Sequence, residues 1–434
     1  MRVTTATAVV VLLLRSEEAL AFGPLNGRGL KVRALEPRSI THEKVRTHSS
    51  SSALSSSPPL PSPSSKVGFD AERQLISTSG EHAFKEPGPN DIRGMCPGLN
   101  ALANHGYLPR DGVGTVDDFV RATNEVYGVD MDVARYLATI GSVFSGDSVR
   151  WSIGGPPDGE PDPTLGMKKR PLGLAGSHNI YETDASATRC DLYQCGDNIE
   201  LQIDQFQHLY DMPQGPNGYD ITTLTEFRSE RWDESVHKNA NFFYGPFSGN
   251  IAQRAAYIFI YRLMSNKSAE YPEGYLNGDV LKSFFSVEGE SGNFTYRPGH
   301  ERIPDNWYRR AVGDELGFRT LSSDARYMAG KHPKFNYLGG NRGKVDTFTR
   351  VNISDFTHGA YDDETLGEGR NAACFAVTFQ LLVAPDHFGK FFKDVTEPLD
   401  KLRGIQKEAV RECPPLDRVV RSMFDSFPGS MGQF

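Results

Sequence analysis

Apolar residues recur at helical spacing through most of the chain beyond residue 67, while alternating strand patterns are scarce. Thr115 reads as an N-cap, with Asp117 and Asp118 in the first turn and Phe119, Ala122 and Val126 on one face. Leu201, Phe206 and Leu209 form a stripe within 200–212, and Ala252, Ala255, Ala256, Phe259 and Leu263 form another within 249–265. A charged helix is expected over 394–411. No Gly-rich loop follows an apolar strand, and Gly154-Gly155-Pro156 lacks the Lys and spacing of a phosphate loop. The pattern predicts a mainly α, single multi-helix domain over 67–434, with few or no strands and long loops at 151–175 and 300–370.

The first 66 residues have another character. Arg2, an apolar core at Ala6–Leu14 and the small-x-small site Ala19-Leu20-Ala21 read as a secretory signal peptide over 1–21. Residues 22–65 hold two acids (Glu36, Glu43) against six Lys/Arg, and 49–65 are almost entirely Ser and Pro. Such a stretch buries too little apolar surface to offset chain entropy, so 22–66 is expected to be a disordered leader or linker. The opening also resembles the two-part plastid-targeting leader of algae with secondary plastids, which makes a plastid the alternative to the secretory route. Ala6–Leu14 is too short to span a bilayer. A net charge of −8, from 47 Lys+Arg and 55 Asp+Glu, argues against holding nucleic acid through its phosphates.

The most informative window runs Arg93-Gly94-Met95-Cys96-Pro97-Gly98-Leu99-Asn100-Ala101-Leu102-Ala103-Asn104-His105-Gly106-Tyr107-Leu108-Pro109. Pro97 suits a first helical position, and Gly106 with Pro109 ends the helix. Cys96 then stands at the N-cap, facing unpaired N–H groups and the positive end of the helix dipole. Both favour a thiolate. A thiolate that accepts hydrogen bonds suits an axial haem ligand, because those bonds tune its electron donation. A buried structural cysteine would show the same dipeptide. A redox thiol would want a second cysteine two or three residues away, and none is present.

Together with Phe69-Asp70-Ala71-Glu72-Arg73, Gly80-Glu81-His82-Ala83-Phe84 and Pro87-Gly88-Pro89-Asn90-Asp91-Ile92, this window closely resembles the proximal segment of the haem-thiolate chloroperoxidase and unspecific-peroxygenase family. That family carries Pro-Cys-Pro followed by a Leu-Asn-x-Leu-Ala-Asn-His-Gly run; Met95 replaces the first proline here. The resemblance implies haem b with Cys96 as its axial iron ligand, and H2O2 as co-substrate with a small organic substrate or a halide.

A second window, His178-Asn179-Ile180-Tyr181-Glu182-Thr183-Asp184-Ala185-Ser186-Ala187-Thr188-Arg189, places Glu182 and Ser186 four apart, on one face if the segment is helical. Oxygen donors of this kind suit a hard cation, although acidic loops are more often simply solvated. The window is similar to the family's Glu-His-Asp or Glu-Gly-Asp motif with x-Ser-x-x-Arg. That implies Glu182, Thr183 and Ser186 as ligands of Mg2+ (or Mn2+) near a haem propionate. Thr183 stands where some members have a His, and it cannot titrate near neutrality.

Peroxide cleavage needs a base that moves a proton between the two peroxide oxygens, and a carboxylate in an apolar pocket can serve. Glu288 and Glu290 lie in Phe284-Phe285-Ser286-Val287-Glu288-Gly289-Glu290-Ser291-Gly292-Asn293-Phe294. The stretch looks like the family's Ala-Glu-Ser-x-Phe segment, which implies Glu290 as the distal acid–base. The Arg expected seven residues earlier is Ser283; Lys282 beside it is the remaining cationic candidate. Glu301 to Arg310 also looks family-like and reads as structural.

Cys190, Cys195, Cys374 and Cys413 allow three pairings, or no bond between the two neighbours at 190 and 195. Sequons at Asn266, Asn293 and Asn352 permit glycosylation. The expected protein is a haem-thiolate peroxidase or peroxygenase, a monomer or small homo-oligomer. The alternatives are a halide or one-electron peroxidase on the same haem, and a haem- or ligand-binding protein without turnover.

Overall fold

The computed structural model describes residues 68–368 and 370–431. The leader features at 1–21 and 22–66 therefore lie outside the described residues. Within the described residues the chain is mainly α. Its principal helices are α1 (Pro97–Asn104), α2 (Val116–Tyr127), α3 (Met131–Phe144), α4 (Ile203–Asp211), α5 (Ile221–Lys238), α6 (Arg254–Leu263), α7 (Gly278–Phe285), α8 (Phe318–Lys331), α9 (Asn371–Phe391) and α10 (Thr396–Val410). No helix among them is long and apolar enough to cross a membrane.

The caps follow local chemistry. Thr115 and Asp118 close a reciprocal capping box at the start of α2, and Gly128, left-handed at φ +65°, ends it. Phe119, Ala122 and Val126 are buried, as their spacing requires. The stripe at 200–212 becomes α4 and the charged helix becomes α10. The stripe at 249–265 is split: a π-helical turn occupies Ser248–Gln253, and regular α6 starts only at Arg254. The loop expected over 300–370 contains α8, whose fully buried residues are only Met328 and the carboxylate Asp324, too weak an apolar stripe to read in advance.

Strands are few and short. Val113–Thr115 (β1) pairs antiparallel with Arg150–Ser152 (β2), and Phe243–Tyr244 (β3) pairs with Gly339–Gly340, which continues to Thr349–Arg350. Val287–Glu290 and Asn293–Tyr296 form a hairpin. One large apolar cluster runs from Ile76 to Phe335; two smaller ones pack α9 against Phe243, Phe356 and Phe424, and α3 against Phe388 and Leu402.

The cysteines pair as Cys190–Cys195 and Cys374–Cys413. The second bond closes a 39-residue separation and ties the start of α9 to the chain beyond α10. Replacing Cys374 and Cys413 together by Ser is expected to lower stability by about 2–4 kcal/mol, read as a lower denaturant midpoint with little change at the Cys96 site.

Candidate active site

Cys96 is the free cysteine, half-buried at the N-cap of α1 with Pro97 at the first helical position. The Leu99 and Gly98 amides lie on its sulfur side and favour the thiolate, although neither closes a capping hydrogen bond. Burial outweighs them and pushes the thiol up from its ordinary value. The amides thus act in the direction expected of an N-cap, and burial, which local sequence does not show, sets the net sign.

The run after Cys96 is a set of clamps. Asn100 accepts from the Gly94 N–H at 3.0 Å and donates to the Gly94 carbonyl at 2.8 Å, which fixes the turn leading into the cysteine. A Cβ at Gly94 would meet the Ile153 carbonyl at 2.1 Å, so only glycine fits. Asn104 donates to the carbonyls of Gly299 and Glu301, both at 2.8 Å. His105 bonds the His82 carbonyl through Nδ1 and accepts the Ile303 N–H at Nε2, so its proton sits on Nδ1. Tyr127, at the end of α2, donates to the Gly98 carbonyl at 2.8 Å. These bonds bring 82–84 and 299–303 against the cysteine helix.

Two buried charges stand near the sulfur. Glu301 is fully buried, and among the described residues neither carboxylate oxygen closes a hydrogen bond. Its Oε1 lies 3.8 Å from an Arg189 guanidinium nitrogen, and Arg189 is itself buried. Burial pushes the Glu301 carboxyl up, and Arg189 opposes that shift. Both groups act electrostatically on Cys96: Arg189 lowers its thiol and Glu301 raises it. Sequence reading treated 301–310 as structural and so missed this pair; a charged side chain just before an Ile-Pro turn carries no periodic signal.

The acidic window is a loop, with Ala185 held at φ +56°, so Glu182 and Ser186 do not share a helical face. Ala185 is kept in that strained conformation by its N–H to Asp191 and by its carbonyl, which accepts from Gln253 and Tyr257. Glu182 Oε2 accepts from His178 Nδ1 at 2.8 Å and from Asn198 at 2.7 Å. Thr183 is buried with an unpartnered hydroxyl, and the Ser186 carbonyl accepts from Arg231. Among the described residues no three His, Cys, Asp or Glu side chains converge as a metal cluster.

His178 takes part where Thr183 cannot. It lies between Glu182 and the buried Asp184, 3.6 Å from the latter. Burial opposes its protonation, but the two carboxylates win and raise it to about 9. His178 therefore binds its proton more tightly folded than unfolded. Its contribution to stability is complete below about pH 6.5 and is lost as pH climbs through about 9. Thermal melts across that window should fall, and His178→Gln should flatten the fall.

Glu290 is not in the setting its expected role requires. It ends the exposed strand of the 287–296 hairpin, opposite Asn293, and is solvent-exposed. Its neighbour Ser291 bonds Gln207 and Asp211 at the surface. The aromatic side chains read beside it, Phe284 and Phe285, point into the core from α7, one strand away. Alternation along the strand and the tight turn at 291–292 carry the carboxylate outward. Lys282 is likewise directed to the Gly289 carbonyl and Asp279. Glu290→Gln is expected to change peroxide turnover by less than about twofold, as for a surface substitution.

The comparisons accord with this geometry. The family model described as "Peroxidase, family 2" matches residues 82–312. The chain is 37% identical over 367 residues to the dothistromin biosynthesis peroxidase of Dothistroma septosporum, covering 84% of this chain and 88% of that one. It is 39% identical over 359 residues to an aromatic peroxidase of Fusarium equiseti, covering 80% and 82%. To the aromatic peroxygenase of Cyclocybe aegerita it is 30% identical over 281 residues, covering 62% and 66%. With more than half its length matched by the model, and with the clamp residues of the cysteine helix inside that match, this enzyme belongs to peroxidase family 2, the chloroperoxidase-like peroxidases and peroxygenases.

Proposed function

We propose that this enzyme is an H2O2-dependent haem-thiolate peroxygenase or peroxidase acting on small organic, aromatic substrates, with Cys96 as the axial ligand of haem b. The observation that carries the reading is the free thiol at the N-terminus of α1, braced by Asn100 and Tyr127 and flanked by a buried Arg–Glu pair. The family implies a haem, and the donor set fits it: one thiol, with amides on its sulfur side, free of the two disulfides. When bound, haem supplies the iron at which the peroxide O–O bond is cleaved.

The chain's own residues do the rest. Asn100 and Gly94 aim the sulfur, and the Gly98 and Leu99 amides with Arg189 stabilise its negative charge. Glu182, the Thr183 backbone and Ser186 are proposed to hold Mg2+ against a propionate. Glu182 keeps one carboxylate oxygen for it while His178 and Asn198 hold the other. The exposed position of Glu290 weighs against the distal acid–base role that the resemblance implies for it. The secretory leader, with the plastid route as its alternative, remains part of this proposal, as does a single domain over 67–434.

The test is turnover of an aromatic probe with 18O-labelled H2O2. Label recovered in a hydroxylated product establishes oxygen insertion. Radical-coupled products without label establish one-electron peroxidation instead, and no peroxide consumption contradicts the proposal.

A further inference from the structure

Buried arginines in this protein have acids beside them. Arg262 meets Asp324, Arg310 meets Asp314, Arg231 meets Glu234 and Arg189 meets Glu301. Arg228, on α5, and Arg254, the first residue of α6, have no acid beside them among the described residues. Both are buried, and their electrostatic neighbours are the phenols of Tyr244 and Tyr257 and each other. Arg228 donates to Gln253 Oε1 at 2.8 Å and to the Tyr244 hydroxyl, and stacks 3.7 Å over the Phe335 ring. Arg254 donates to Asn250 Oδ1 at 2.6 Å and to the Phe335 carbonyl.

The cluster has used its acceptors and kept its donors. Arg228 Nη1, Arg254 Nε, Asn250 Nδ2 and the Ser248 hydroxyl are all buried without partners among the described residues. Water alone would satisfy the hydrogen bonds but not two buried positive charges, which are costly without a counter-charge. Ser248, Asn250 and Gln253 lie on the π-helical turn, a distortion that recurs at functional sites. Gln253 and Tyr257 also donate to the Ala185 carbonyl, inside the Glu182–Ser186 loop.

We infer that Arg228 and Arg254, with Asn250 and Ser248, form a buried carboxylate-binding site backing onto the Glu182–Ser186 loop. The planar guanidinium fork matches a carboxylate in a way that a spherical halide does not exploit. The carboxylate has two sources: a propionate of the haem, or a free carboxylic acid. The first source rests on the haem reading above; the second does not.

The experiment compares full-chain holoenzyme loaded with haem and with haem dimethyl ester, measuring transfer to an apomyoglobin scavenger, and melts the haem-loaded enzyme in formate or chloride at equal ionic strength. If a propionate fills the site, the ester leaves wild type about tenfold faster or more, and Arg228→Gln or Arg254→Gln removes that difference. If a free acid fills it, ester and haem leave alike, and formate raises the melting temperature saturably where chloride does not. The proposal is overturned if haem and ester leave wild type alike and formate behaves as chloride. An ester effect that persists undiminished in both variants, with no formate effect, overturns it as well. The wild-type arms stand even where a variant fails to fold. An ordinary wild-type ferrous–CO spectrum alongside a negative result separates failure of this site from failure of the haem reading.

Discussion

Cys96→Ala is expected to abolish peroxide-dependent oxidation, a loss of at least about 10³-fold, because the thiolate proposed to hold the haem would set how its iron handles the O–O bond. The loss should come with little cost in folding. Cys96 is half-buried and makes no side-chain capping bond, while α1 is anchored by Asn100, Asn104, His105 and the Tyr127 hydroxyl. Near-native circular dichroism and melting, with haem absent or spectroscopically altered, is the expected pair of results. Full activity in the Ala variant would exclude the cysteine as ligand.

Arg189→Met is expected to destabilise the protein by about 3–5 kcal/mol, because it leaves the Glu301 carboxylate buried and unpaired. The sign of its pH dependence follows from burial, which holds the folded Glu301 carboxyl above its unfolded value. Stability from such a group is complete below the unfolded value, about 4.3, and falls as pH rises. The deficit of Arg189→Met should therefore be smallest near pH 4 and grow toward neutrality. Adding Glu301→Gln should recover much of it, since an uncharged amide removes the unpaired charge. Urea melts of both variants at several pH values check this, and equal deficits at every pH would contradict it. The same change takes a positive charge from the neighbourhood of Cys96, so alkylation of its thiol should slow in Arg189→Met and recover in the double variant.

How much of this was legible in advance depended on whether the signal was local. The α2 cap, the cysteine at the head of α1 and the apolar stripe of α6 are written in consecutive residues, where spacing and capping chemistry act, whereas the π-helical turn before α6 is not. The long match at 93–109 was legible because each of its polar residues has a fixed backbone partner: Asn100 with Gly94, Asn104 with Gly299 and Glu301. The exposed setting of Glu290 was not legible, because a fragment of motif says nothing about which side of a hairpin its carboxylate leaves from. Glu301 beside Arg189, His178 between Glu182 and Asp184, and Arg228 beside Arg254 were illegible for one reason. Each is a meeting of residues brought together by tertiary packing, and no period in the chain marks it. The disulfide partners were open on the same ground.

Whether Cys96 holds haem through its thiolate is read most directly from the absorption spectrum of the ferrous–CO complex of the purified enzyme. A Soret band at the red-shifted position that a thiolate ligand produces, lost in Cys96→Ala, is expected. A band at the histidine-type position in the wild type, or no bound haem, would contradict it.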